Sequence, residues 1–89
     1  MPKLENLRQL ILESDEKIVA ELAKRQELVR QIGAYKARYG LPVFDREREA
    51  KLKQYYAELS QKYGLADSFT QEVFGMIIQE SRKTQQDNE

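Results

Sequence analysis

LENLRQLILESDEKIVAELAKRQELVRQIGAYKARY occupies residues 4–39 without a proline. Leu4, Leu7, Ile11, Ile18, Leu22, Val29 and Ile32 recur along it at three-and-four spacing, which predicts one amphipathic helix. Gly33 costs about 1 kcal/mol against alanine inside a helix, and its missing side chain suits a close backbone approach. At 1.5 Å per residue this segment is about 50 Å long, whereas a compact chain of 89 residues has a radius of gyration near ~12 Å. The helix therefore overhangs any compact monomer. The expectation is that two chains pair along their long helices, with shorter helices wrapped around them. A plain coiled-coil segment is the simpler competitor, but a tight Gly-Leu-Pro turn and two further helices count against it.

Gly40-Leu41-Pro42 breaks the chain after residue 39, and Gly64-Leu65 breaks it again. Between the breaks, Asp45 is a good N-cap and Glu47 and Glu49 suit the positive end of a helix. Leu52, Tyr55, Tyr56, Leu59 and Tyr63 form its apolar side, predicting a helix over 46–63 that stops at Gly64. A third helix over 68–85, starting at Asp67 or Ser68, carries Phe69, Val73, Ile77, Ser81 and Gln85 at successive i+4 positions. No stretch alternates strictly enough for a strand. The expected fold is all-α: three helices in one domain over 1–89, assembled as an intertwined antiparallel homodimer.

Composition narrows the chemistry. Without cysteine there are no disulfides or thiolate metal sites, and without histidine there is no Ser-His-Asp triad or imidazole base. Lys plus Arg is 15 and Asp plus Glu is 15, for zero net charge, which argues against broad nucleic-acid or membrane binding. No apolar run approaches the ~20 residues of a membrane span. Glu5, Arg8 and Gln9 interrupt the opening apolar stretch, unlike a signal peptide. A cytoplasmic protein is expected, with no metal and no cofactor.

The informative residues are polar ones that break the apolar stripes. Arg25 and Lys36 are 11 residues apart, three turns plus ~20°, and so share a helix face about 16 Å apart. Two cations on one partly buried face need anionic partners, which a ligand supplies; the simpler alternative is that they snorkel to water or pair with Asp and Glu of a neighbouring helix. Arg8 lies 17 residues before Arg25, about 25 Å away and rotated by ~100°. If it serves the same site, it comes from a second, antiparallel chain; alone it reads as a solvated arginine. Asp45, Arg48 and Glu49 open the second helix on one face, as a cap with local ion pairs at the least. Ser81 and Gln85 end the apolar line of the third helix, either entering a site or fraying toward solvent.

Taken together, Leu7 to Ile11, Asp15 to Ile18, Leu22-Ala23-Lys24-Arg25, Glu27-Leu28-Val29, Ile32 to Lys36, Pro42 to Glu49 and Ile77 to Gln85 resemble the all-helical (type II) chorismate mutases. Each piece is short, but their order and spacing span all three helices. The resemblance implies a dimer with two equivalent sites. It implies that Arg25 and the partner's Arg8 bind the two carboxylates of chorismate. Lys36 reaches a carboxylate and the ether oxygen, and Gln85 donates to the same oxygen. Glu49, with the backbone near Asp45, holds the ring hydroxyl, and Arg48 and Ser81 complete the wall. Such a site needs no base or nucleophile, which suits a chain without His or Cys. An isochorismate-pyruvate lyase on the same fold resembles the mutases in Arg8, Arg25, Lys36 and Gln85, while Asp45, Arg48, Glu49 and Ser81 look like the mutase side. A non-catalytic helical interaction module is the remaining alternative.

Overall fold

A computed structural model describes residues 2–87. It consists of three helices, α1 (Pro2–Tyr39), α2 (Arg46–Tyr63) and α3 (Asp67–Gln86), with no strand among the described residues. α1 begins two residues before the apolar periodicity does, because proline, lacking an N–H, fits a first turn where that donor has no helical partner. α1 spans about 57 Å at helical rise, matching the molecule's longest extent of 57 Å. The radius of gyration is 16.5 Å, well above the ~12 Å of a compact chain this long.

Both inter-helix connections use the same local chemistry. Gly40 and Gly64 sit at φ +65 and +69, a left-handed conformation that costs glycine little. Leu41 N donates to Lys36 O at 2.8 Å, and Leu65 N to Ser60 O at 2.9 Å. Gly40 N and Gly64 N donate to Ala37 O and Gln61 O. These paired bonds are Schellman closures that satisfy the last carbonyls of each helix. Asp45 caps α2, its Oδ1 accepting from Arg48 N at 3.1 Å. α3 differs: Ala66 is its N-cap and provides no side-chain bond, so Asp67 falls within the helix, where its Oδ1 accepts from Gln71 Nε2 at 3.1 Å.

α3 packs on both other helices, while α1 and α2 do not pack on each other. Arg25 and Gln26 meet Ser81 and Thr84, so α3 runs parallel to α1. Glu49 meets Arg82 and Tyr56 stacks on Phe74 at 4.1 Å, so α3 runs antiparallel to α2. α2 thus buries only a narrow strip toward α3. Tyr56 is buried and Leu52 and Leu59 are half-buried, but Tyr55 and Tyr63, read from the sequence as part of the same apolar side, are exposed. Along α3, Ser81 and Gln85 are buried, whereas Phe69 and Val73 remain exposed.

The single chain has hardly any apolar core. Val29 and Tyr56, each 5% exposed, are the buried apolar side chains among the described residues, outnumbered by buried Ser60, Thr70, Ser81 and Gln85. Leu4, Leu7, Ile11 and Ile18, the predicted apolar stripe of α1, are uncovered; Leu7 is 50% exposed and Ile11 59%. Scattered exposed leucines are ordinary, but a continuous uncovered stripe marks a surface for association.

Candidate active site

Arg25 leaves α1 half-buried, and its Nη1 donates to the Oγ of buried Ser81 on α3. Ser81 Oγ in turn donates to Ile77 O at 2.8 Å, the one-turn back-bond that small hydroxyls make inside helices. The serine is thereby held in one rotamer and fixes the arginine. Among the described residues no carboxylate lies within ion-pair distance of Arg25. Lys36, also half-buried, donates from Nζ to Val43 O at 3.0 Å, on the connection leading into α2. It too has no carboxylate partner among the described residues. Pairing with acids of a neighbouring helix is therefore not taken among the described residues. Both hold neutral oxygen acceptors, which leave their charges uncompensated.

Gln85 lies on α3 one turn beyond Ser81, 9% exposed, and its Oε1 is buried without a hydrogen-bond partner. A buried amide oxygen left unpaired costs roughly 1–3 kcal/mol, a cost that a ligand or a partner chain bringing a donor can remove. Glu49, on the first turn of α2, is half-buried, and its Oε1 accepts from Arg82 Nε at 3.0 Å and also from Arg82 Nη2. Asp45 is exposed and its side chain is engaged in the cap. The bond in that cap comes from the backbone of Arg48, whose side chain is exposed.

Arg8 stands apart. Its Nη1 pairs with Glu5 at 3.0 Å, one turn away on α1, and both side chains are well exposed. In a single chain it is the solvated arginine of the simpler reading. The fold therefore joins Arg25 to Ser81 directly, buries Gln85 on the same helix, and brings α2 to α3 through Glu49. It does not bring Arg8 to them. Two partners went unread in the sequence: the Val43 carbonyl under Lys36, which no side-chain pattern reveals, and Arg82 on Glu49. The spacing of Arg82 to Gln85, i to i+3 on one helix, was the available signal for the latter.

Among the described residues, the carboxyl whose titration is clearly displaced lies outside this group. Hydrogen bonding and charge from Arg30, assisted by Gln31, hold Glu27 below the usual carboxylate range. Its side chain is exposed to solvent and paired with Arg30 one turn along α1. Among the described residues there is no group of His, Cys, Asp and Glu that could hold a metal ion, and no helix is long and apolar enough to cross a membrane.

Residues 7–86 match the family model described as chorismate mutase type II. The chain belongs to that family. The type II match spans all three helices and every candidate residue from Arg8 to Gln85. The chain is 33% identical over 85 residues to the T-protein of Enterobacter agglomerans, covering 96% of this chain and 23% of that protein. It is 36% identical over 80 residues to the bifunctional chorismate mutase/prephenate dehydratase of Escherichia coli K12, covering 90% and 21% respectively. It is 26% identical over 83 residues to the chorismate mutase of Methanocaldococcus jannaschii, covering 93% and 84%. The chain thus spans about a fifth of the length of the T-proteins and bifunctional enzymes it matches, and most of the length of the chorismate mutase of M. jannaschii.

Proposed function

We propose that this chain rearranges chorismate to prephenate as an antiparallel homodimer, each site completed by the partner's Arg8. The observation that carries the proposal is the state of Arg25 and Lys36: half-buried cations on one face of α1, bonded to a hydroxyl and a backbone carbonyl. A buried charge without a counter-charge is costly, and a dianionic ligand supplies the missing charge. Arginine forks fit carboxylates in a bidentate manner. Family membership supplies the substrate class.

In this reading Arg25 and the partner's Arg8 hold the two carboxylates, and Lys36 spans a carboxylate and the ether oxygen. Gln85 turns its amide N–H toward that same oxygen. Glu49 and the backbone beside Asp45 take the ring hydroxyl, while Arg48 and Ser81 close the wall. The reaction is an intramolecular [3,3] shift in which the C–O bond breaks as the C–C bond forms, so no proton needs to move. The protein selects the chair-like diaxial conformer and stabilises charge gathering on the ether oxygen. A 10⁶-fold acceleration requires ~8 kcal/mol. Two preorganised donors at ~2.7–4 kcal/mol each supply about 5–8 of it, and conformer selection contributes the remainder.

The dimer is supported by the uncovered stripe on α1. Full burial of a leucine or isoleucine contributes about 1.5–3 kcal/mol, and the α1 side chains from Leu4 to Ile18 retain roughly half of that while exposed. Two antiparallel copies cover both stripes at once and carry each Arg8 toward the other chain's Arg25.

The test is direct. Chorismate and, separately, isochorismate are incubated with the purified chain, chorismate loss is followed by ultraviolet absorbance, and the products are identified. Prephenate is expected; release of pyruvate from isochorismate instead would favour the lyase, and no turnover of either would favour an interaction module. A cytoplasmic location belongs to the same proposal and is read by cell fractionation.

A further inference from the structure

Arg82 has no part in the roles given above, yet it is tied into the middle of them. Its Nε and Nη2 both reach one oxygen of Glu49, Oε1. Its guanidinium carbon lies 4.7 Å from the centroid of the Phe44 ring, within cation–π range. The pair is partly withdrawn from water, with the Arg82 side chain 40% exposed and that of Glu49 25%. One side chain on α3 thus clasps the first turn of α2 and the connection that precedes it. The grip is lopsided: Glu49 Oε2 accepts no protein hydrogen bond among the described residues. A carboxylate has about four acceptor positions, so half of its capacity stays open.

We propose that Arg82 is a positioning residue for substrate binding, which fixes the Glu49 carboxylate by Oε1 so that Oε2 faces the ring hydroxyl. This rests on the chorismate reading of the site. Arg82 has a second effect through the same contact. An unpaired Glu49 would repel a dianion entering beside it, and the Arg82 charge offsets that repulsion. Both effects act equally on bound substrate and transition state, so they belong in binding rather than in the chemical step. Phe44 holds the guanidinium in place from the other side. Arg82 does not touch the reacting atoms.

The experiment is a double-mutant cycle with Arg82→Met, Glu49→Gln and the double variant, which isolates the pairwise coupling. The readouts are kcat and KM for chorismate and the calorimetric Kd of prephenate, which keeps the ring hydroxyl and needs no turnover. Arg82→Met is expected to raise KM and Kd about tenfold, as for one partly buried charge contact, with kcat within about threefold. In the Glu49→Gln background, where no charge remains to offset, the same change should move Kd less than about twofold. Arg82→Lys, which keeps the charge but lacks the fork, should fall between, near threefold. An unchanged KM in Arg82→Met, or an equal penalty in both backgrounds, overturns the proposal. So does a fall in kcat and melting temperature with KM untouched, the mark of a merely structural arginine. If Arg82→Met fails to fold, Arg82→Lys read in both backgrounds decides by the same rule. Turnover by the unmodified chain tests the chorismate reading on its own; should that fail, the role of Arg82 falls with it.

Discussion

Two inactive variants mixed together should make an active enzyme. Arg8 and Arg25 are 17 residues apart on one helix, about 25 Å along its axis, and in the single chain the ion-pair partner of Arg8 among the described residues is Glu5. If both arginines serve one site, each site draws them from different chains. In the proposed site, Arg8→Ala and Arg25→Ala would each remove a charge-assisted contact to a substrate carboxylate, about 3 kcal/mol or ~150-fold in kcat/KM. Co-refolded at equal amounts, random pairing places about half of the molecules in mixed dimers. In a mixed dimer, one site has lost both arginines and the other keeps both. About a quarter of all sites are then intact, so the mixture recovers ~25% of wild-type activity, roughly 40-fold above either parent. The Arg8–Glu5 pair is exposed and worth about 0–1 kcal/mol, so Arg8→Ala should fold as the wild type does. The assay is chorismate loss after dilution from denaturant, with mixed dimers verified by native mass spectrometry. Activity that stays at the average of the parents, with mixed dimers present, refutes the shared site.

Single side chains give three further expected outcomes. Lys36→Ala should lower kcat about 10²–10³-fold, the loss of one preorganised donor, with circular dichroism reporting an intact helical fold; wild-type turnover would contradict its place at the ether oxygen. Gln85→Glu places a carboxyl where the native Oε1 is buried and unpaired, and burial raises a carboxyl pKa. Only the protonated acid donates, so activity is present below the raised pKa and lost as pH rises through it; a flat pH–rate profile would remove Gln85 from the reaction. Asp45→Ala deletes the bond from Arg48 N, which should cost about 1 kcal/mol and lower Tm by about 4–8 °C; calorimetry showing an unchanged Tm would mean the cap contributes nothing.

The sequence by itself determined where the helices end and which face of α1 carries charge. Asp45 and its bond to Arg48, the two Gly-Leu closures after Tyr39 and Tyr63, and the proline-free run of α1 are settled among residues a few positions apart. Arg25 and Lys36 share a face because helical rise and turn are constants of the backbone. Type II likeness was legible too, since it rests on the order of short pieces. Tertiary structure decided what those faces meet. Ser81 comes to Arg25 from 56 residues away and Arg82 to Glu49 from 33, because α3 runs between the other two helices in a register that no local pattern specifies. The same arrangement leaves α2 covered on one narrow strip, hence Tyr56 inside and Tyr55 and Tyr63 outside. Burial is a property of the neighbouring surface, and what covers α2 is the antiparallel α3, whose contacts such as Tyr56 on Phe74 and Glu49 on Arg82 join residues far apart in the chain.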